Sequence, residues 1–472
     1  MGENPTHSNY RYGLDFDLDV LAKYDRAGPR YTSYPTAIEF TTDFDAGGFR
    51  RQTVLSNAGG SLSPLSLYFH IPFCATVCYY CACNKIVTKN HKHAADYLRR
   101  LHREIQMMGY LFPRERTVTQ LHWGGGTPTF LSTQQMVGLM GCTRRNFTLA
   151  DNDEGEYSVE IDPRALEADT LHCLRDIGFN RLSMGVQDLD PLVQAAVNRI
   201  QSAQLTFDTL DQARELGFKS VSLDLIYGLP LQTAESFSHT LQAVIDAQPD
   251  RLSIFNYAHL PQRFKVQRQI NEQDLPSPET KLAILQASIE ALLDAGYIYI
   301  GMDHFARAED DLSCALENGS LHRNFQGYAT HADCELVAMG ISAISRVGDC
   351  YAQNAHTLDD YYRLIDSSQL AIGRGVVLNL DDLVRRDVID QLMCRFTLDF
   401  DAIERAHGIV FDEYFETELR DLEAMISDGL LESRNRQLIV TPKGRLLVRN
   451  ISMVFDAYRQ TDGDGQRFSK VI

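Results

Sequence analysis

Between residues 65 and 303 the chain alternates short strand-like apolar runs with longer stretches in which apolar residues return every three or four positions. That is the pattern of a parallel sheet wrapped by helices. Strands are expected at 65–69, 118–122, 157–161, 181–186, 220–226 and 251–257, with a further one at 297–302. Between the first two, Tyr97, Leu98, Leu101, Ile105 and Met108 recur at helical spacing, so this segment buries one face against the sheet and ends near Gly109. Gly178, Gly217 and Gly296 each stand between a helical stretch and a strand, where a left-handed C-cap is required. Six such strand–helix units predict an α/β fold, an incomplete (β/α)6 barrel over residues 61–370 with extra strands.

The pattern changes on both sides of this block. Residues 1–60 carry no strong periodicity and are expected to wrap the barrel or gate its mouth. Residues 371–472 read as mainly helical, with a strand pair at 430–433 and 437–440 closed by Arg434-Asn435-Arg436 and a further helix from Lys443. The C-terminal part is therefore winged-helix-like, with a lid or packing role expected of it rather than DNA binding.

Composition narrows the function. A formal net charge of −18 over 472 residues argues against nucleic acid as a partner, because phosphate binding needs a basic field. No apolar run reaches the length of a membrane span. Ten cysteines, most of them scattered singly, together with no secretory leader, fit a reducing compartment, so a cytoplasmic location is expected.

Cys74, Cys78 and Cys81 stand in a Cys-x3-Cys-x2-Cys loop directly after the first strand. Three thiolates on one short loop can hold three irons of a [4Fe–4S] cube and leave the fourth open to another molecule. Cys83 follows two residues later, so four close thiols could instead form a structural zinc knot, although such sites usually draw their ligands as two separated pairs. Barrel geometry places functional groups at the C-terminal ends of strands. Those ends carry the cysteine loop, then Gly124-Gly125-Gly126-Thr127-Pro128, Glu160 and Asp162, Gln187, Asp224, and Asn256 to His259. Lacking Cβ atoms, Gly125 and Gly126 could let a ligand approach the backbone and bind its carboxylate through their amides, or could simply make a tight turn. Glu160 and Asp224 could equally be caps or ion-pair residues.

The blocks His70-Ile71-Pro72-Phe73-Cys74, Cys81-Ala82-Cys83-Asn84-Lys85 and Gly124-Gly125-Gly126-Thr127-Pro128 resemble those of the radical S-adenosylmethionine (SAM) enzymes. Within them, the chain is similar to the oxygen-independent coproporphyrinogen III dehydrogenases of haem biosynthesis, through Tyr31-Thr32-Ser33-Tyr34-Pro35, Phe255-Asn256-Tyr257-Ala258-His259, Gly301-Met302-Asp303-His304-Phe305 and His322-Arg323-Asn324-Phe325-Gln326-Gly327-Tyr328. The resemblance implies that Cys74, Cys78 and Cys81 ligate the cluster and that its open iron takes the amino and carboxylate groups of SAM. It assigns Tyr68, Tyr80, Gly125, Gly126, Thr127, Glu160, Gln187, Arg199, Asp224, Ala258 and Ile344 to the binding of SAM, of which two molecules are expected.

The implied chemistry is one-electron cleavage of SAM to a 5′-deoxyadenosyl radical. The radical takes a hydrogen from the β-carbon of a propionate; carbon dioxide and one electron then leave, and a vinyl group remains. Coproporphyrinogen III is thus the expected substrate, with an unidentified electron donor and acceptor, and the chain is expected to act as a monomer. Tyr68, Cys83 and Gln326 are the candidate catalytic residues, Phe325 joins Gln326 in lining the substrate cavity, and Arg199, Arg307 and Arg323 are candidate partners for substrate carboxylates. No histidine is nominated, since His70, His122, His304 and His322 show no metal spacing. Related haem-binding chaperones, in which an aromatic residue stands at the place of Cys83, form the alternative reading, as does a radical enzyme acting on another tetrapyrrole. Cys83 and the N-terminal Tyr-Thr-Ser-Tyr-Pro segment favour the dehydrogenase.

Overall fold

A computed structural model describes residues 13–24, 26–59, 62–151 and 153–459. Parts of the 1–60 extension, including residues 1–12, lie outside the described residues. The chain forms two compact units, one of residues 40–284 and 333–377, the other of residues 1–39, 285–332 and 378–472.

The larger unit is built on strands β1 (Leu65–Ile71), β2 (Thr117–Gly125), β3 (Glu156–Ile161), β4 (Arg181–Gln187), β5 (Ser220–Tyr227) and β6 (Arg251–Asn256). All neighbours are parallel and stand in chain order from β6 to β1. On the far side of β1 the sheet continues with β7 (Glu335–Met339), parallel to β1, and then antiparallel with β8 (Ile344–Val347), β9 (Cys350–Asn354) and β10 (Ile372–Val377). The expected incomplete (β/α)6 barrel is present, and the predicted strands are off by no more than three residues at an end. The four strands of 335–377 were not read individually in the sequence: each has at most six residues, the first three follow one another without a helix between them, and the last is reached through the helix Leu358–Asp366.

Along β3, β4 and β5 every second residue is fully buried and the alternate ones are partly open. Apolar side chains such as Trp123, Val159, Met184 and Leu223 form the buried set, and Trp123 meets the rings of Phe69 and Phe179 edge-on at 6.4 and 4.7 Å. The partly open set contains Tyr68, His122, Ser158, Glu160, Ser183, Gln187 and Asp224. The strand period of two therefore gives the parallel sheet one dry face and one polar face. The helix Lys92–Gly109 buries Tyr97, Leu98, Leu101, Ile105 and Met108 as expected, and with them Glu104. Gly178 and Gly217 end their helices at φ +110° and +76°, the left-handed geometry expected of them.

The smaller unit centres on helix Leu380–Arg395, whose Val384, Val388, Ile389 and Leu392 are buried. The expected strand pair is Leu431–Arg434 with Gln437–Val440, turned by Asn435 and Arg436 at positive φ. A third strand, Thr397–Asp399, was too short to read from sequence and pairs with Gln437–Val440. The helix expected from Lys443 does not start there. Thr441 accepts the N–H groups of Gly444 and Arg445 in a turn, and the chain continues through a 3-10 turn, Arg445–Leu447, into helix Val448–Ser452. Among the described residues no helix is long and apolar enough to cross a membrane.

Candidate active site

The cysteine loop leaves the C-terminal end of β1 and is closed at its base by a parallel pairing of Phe73 and Cys74 with Ile86 and Val87. Its interior is pinned by side chains from elsewhere: Asn198 donates to Val77 O at 2.7 Å, Gln267 to Tyr80 O at 3.0 Å and Lys85 to Cys81 O at 3.0 Å. Tyr79 and Tyr80 pack on the apolar cluster of Val193, Val197, Leu229, Tyr257 and Ile270. A loop with so many anchors presents its thiols at fixed positions.

The sulfurs differ in environment. Cys78 Sγ faces two guanidinium groups, Arg199 Nη1 at 3.6 Å and Arg164 Nη2 at 3.7 Å. Asp162 offsets both cations, binding Arg164 through both carboxylate oxygens and lying 3.5 Å from Arg199. Thr127 Oγ1 lies 3.5 Å from Cys74 Sγ. Burial pushes the Cys74 thiol up to about 11. Cys83 lies against Cys81, and its thiol holds the Cys81 thiol below the ordinary range against the effect of burial, with Lys85 assisting; the same contact raises Cys83. Cys83 thus acts on a neighbouring thiolate.

A zinc ion with Zn–S bonds of about 2.3 Å draws its sulfurs to within about 4 Å of one another. Among the described residues the cysteines are not a set whose ligand atoms all lie within 4.8 Å. Separated thiolates on one loop with N–H donors aimed at a sulfur suit the wider cube of an iron–sulfur cluster.

The polar face of β1–β5 continues from this loop. Tyr68 Oη lies 3.0 Å from His70 Nδ1, and His70 Nε2 lies 2.9 Å from the Asn84 carbonyl. The carbonyl can only accept, which assigns the proton to Nε2 and makes Tyr68 the donor to Nδ1. The Tyr68 ring stacks on His122 at 5.8 Å. His122 in turn meets Ser158 Oγ at 2.6 Å and Glu160 Oε1 at 3.3 Å. Both histidines are thus hydrogen-bonded members of the wall.

Glu160 also accepts the Gly125 N–H at 3.0 Å. Burial opposes its charge, yet His122 and this N–H hold the carboxyl below the ordinary range. Its side chain keeps 43% of its surface open, so a ligand can reach it. Asp224 receives Ser183 Oγ at 3.2 Å, and burial, helped by the charge of Glu160, pushes it up to about 6. Gln187 sits at φ +71° at the end of β4, and its Oε1 is buried with no hydrogen-bond partner in the described structure. Arg199 spends Nη2 on Gly185 O but leaves Nε unpartnered. Orphaned buried polar atoms of this kind call for a polar ligand.

The glycine turn works differently from its expected role. The Gly125 amide is taken by Glu160, the Gly126 amide by Ile71 O at 2.8 Å and the Thr127 amide by Phe73 O at 2.8 Å. None of the three is free for a carboxylate. A Cβ on Gly125 would stand 2.5 Å from the His70 ring and one on Gly126 2.7 Å from the Pro72 backbone. The glycines therefore admit the chain's own cysteine strand and His70 at close approach.

Ala258 follows β6 and its carbonyl accepts Gln267 Nε2 at 3.2 Å. Ile344 opens β8. Gln326 lies in the smaller unit, exposed on the turn between His322–Asn324 and Gly327–Ala329, where its N–H bonds Asn324 Oδ1. In the same unit, Arg307 pairs with Glu309 at 2.8 Å, and Arg323 is buried over the Tyr328 ring. Sequence reading missed Arg164, His70, Asn84 and Ser183 as parts of the site. Only Arg164, two residues beyond Asp162 at a strand end, carried a local signal.

Residues 68–244 match the radical SAM superfamily, and residues 378–447 match the HemN C-terminal domain. The oxygen-independent coproporphyrinogen III oxidase of Pseudomonas aeruginosa is 52% identical over 97% of this chain and 99% of its own length. Its namesake in Escherichia coli is 51% identical, also over 97% of this chain and 99% of its own length. The solved structure of the Escherichia coli coproporphyrinogen III oxidase, described as a radical SAM enzyme, superposes with a TM-score of 0.90 at 50% identity, covering 95% of this chain and 100% of that one.

Proposed function

Since the chain belongs to the oxygen-independent coproporphyrinogen III oxidases of the radical SAM superfamily, we propose that it converts the ring A and B propionates of coproporphyrinogen III to vinyl groups. The product is protoporphyrinogen IX, and the step belongs to haem biosynthesis. Bound together, a [4Fe–4S] cluster and SAM supply one-electron cleavage of the sulfonium to a 5′-deoxyadenosyl radical. Cys74, Cys78 and Cys81 hold the cluster. Gln187, Arg199, Asp224, Glu160, Tyr80, Ala258 and Ile344, with the Gly125–Thr127 turn as a rigid wall, bind SAM, two molecules in all.

The observation that carries this reading is one polar sheet face, on whose neighbouring strands and loops stand the cysteine loop, the open Glu160 carboxylate and the buried, unpartnered Gln187 Oε1 and Arg199 Nε. Position is the main demand on such a site, because a primary carbon radical attacks any C–H bond within reach. Orientation of this kind is worth on the order of 7–11 kcal/mol. Tyr68 meets the demand as a wall fixed by His70 and His122 and kept protonated by burial. Cys83 sets the thiolate character of Cys81 without ligating. Gln326 is the catalytic candidate of the smaller unit. The enzyme works as a cytoplasmic monomer with a one-electron donor and acceptor.

The test is anaerobic turnover of the cluster-loaded protein with SAM, a reductant and coproporphyrinogen III, followed by chromatography of tetrapyrroles and 5′-deoxyadenosine. Protoporphyrinogen IX is expected. Deoxyadenosine without tetrapyrrole product would move the substrate elsewhere, and stable haem binding without either product would favour a carrier.

A further inference from the structure

The acidity of the chain is interrupted next to the cysteine loop. Residues 75–103 hold six Lys and Arg and three His against a single Asp, in a chain of net charge −18. Several of these cations are engaged: Arg100 with Asp366, Arg99 with Asp96, Lys85 with Cys81 O and Arg103 with Ser368. Lys89 and Lys92 are exposed, and neither ammonium has an ion pair or hydrogen bond in the described structure. Beside them Val87 is 46% exposed.

Three features make this more than a solvated face. The patch is one hydrogen bond from a cluster ligand, because Val87 pairs with Cys74 and the Thr88 N–H donates to Cys74 O at 2.9 Å. It also loads the start of a helix with cations. The helix from Lys92 has no acidic residue in its first turn; Asn90 Oδ1 accepts the Lys92 N–H at 3.1 Å, and the unpaired Lys89 and Lys92 stand at the positive end of a dipole that favours carboxylates. Finally, an exposed valine followed in the chain by two exposed, unpaired lysines has the make-up of a transient redox interface, which is small and steered by charge.

We propose that the face of Val87, Lys89, Lys92 and His93 docks an acidic protein that carries single electrons and reduces the cluster, an inference that rests on the radical SAM reading above. One electron leaves the carrier, which is oxidised by one equivalent, and enters the cluster, which passes from the 2+ to the 1+ level; no proton or leaving group moves. The Thr88 N–H bond to Cys74 O would give a short hydrogen-bonded route from the docked carrier to a cluster ligand.

The experiment uses the cluster-loaded enzyme and a reduced acidic plant-type ferredoxin as probe, with Lys89→Glu/Lys92→Glu as the variant and Arg420→Glu, an exposed site in the other unit, as the control. Binding is titrated calorimetrically, and cluster bleaching is followed by stopped flow across ionic strength. The double variant is expected to lose about tenfold or more in affinity and bleaching rate at low salt, and to converge on the wild type near ~0.5 M salt as screening removes the steering. Reduction by dithionite, a small ion that needs no docking face, is expected to be unchanged. Ferredoxin binding and reduction at wild-type rates and salt dependence in the double variant, or an equal loss in Arg420→Glu, would overturn the proposal. A wild type that cannot cleave SAM with dithionite would instead overturn the underlying reading.

Discussion

Replacing Glu104 by Gln tests how the site is braced. Glu104 lies on the apolar face of helix Lys92–Gly109, 1% exposed, and accepts the Gly340 N–H at 2.8 Å, Asn354 Nδ2 at 2.7 Å and Tyr361 Oη at 2.6 Å. Through Gly340 it clamps a turn whose Ser342 receives Asn84, the residue that carries the His70 acceptor, and that leads into Ile344. Burial raises its carboxyl from 4.5 to about 7 despite the three donors. Between those values the folded protein keeps a proton that the unfolded chain has released, so stability is full below the lower value and falls as pH rises through the higher one. At about 1.4 kcal/mol per pH unit, the drop between pH 5 and pH 8 is about 2.5 kcal/mol.

Gln cannot titrate, and its amide N–H2 faces a donor, which costs a constant amount at every pH. Hydrogen exchange of the amides of this helix reads the opening free energy of its own unit without assuming that the whole chain unfolds in one step. The ratio of wild-type to E104Q protection is expected to fall on the order of 10²-fold from pH 5 to pH 8. A ratio that stays flat would mean that Glu104 titrates alike in both states, and the account of this clamp would be wrong.

Gly125→Ala combines φ +114° with a Cβ 2.5 Å from His70 and is expected to cost about 2–5 kcal/mol in thermal unfolding, whereas Gly138→Ala, where a helical Cβ meets nothing within 4 Å, is expected to stabilise by about 0.5–1 kcal/mol. SAM affinity of the cluster-loaded enzyme is expected to weaken as pH falls through about 6, where Asp224 takes up its proton, and to lose that dependence in Asp224→Asn; identical pH profiles in calorimetric titration would remove Asp224 from the cofactor site. Cys78→Ser is expected to lose most of the iron after anaerobic reconstitution while Cys83→Ser retains it; iron lost equally from both would make Cys83 a ligand.

What the sequence made legible follows from what is local. Parallel strands announce themselves by apolar runs between capped helices, so β1 to β6 and the rim they carry could be read directly, as could Gly178 and Gly217. The cysteine triad was legible because its ligands share one loop. The amides of the Gly125 turn were misjudged because their acceptors, Glu160, Ile71 and Phe73, lie on other strands, and nothing in a glycine run says who occupies its missing Cβ space. Arg164, His70 and Asn84 act through tertiary contacts of the same kind. Glu104, outside the site, left a trace as Arg164 did: it is a charged residue at the spacing of Tyr97, Leu101 and Met108, on a face that is otherwise apolar.

The central claim is that this site directs a carbon radical to one propionate hydrogen. Turnover of coproporphyrinogen III carrying deuterium at the propionate β-carbons, with mass analysis of the 5′-deoxyadenosine formed, tests it most directly. One deuterium in deoxyadenosine for each vinyl group made is the predicted result. Vinyl formation with unlabelled deoxyadenosine would contradict the account.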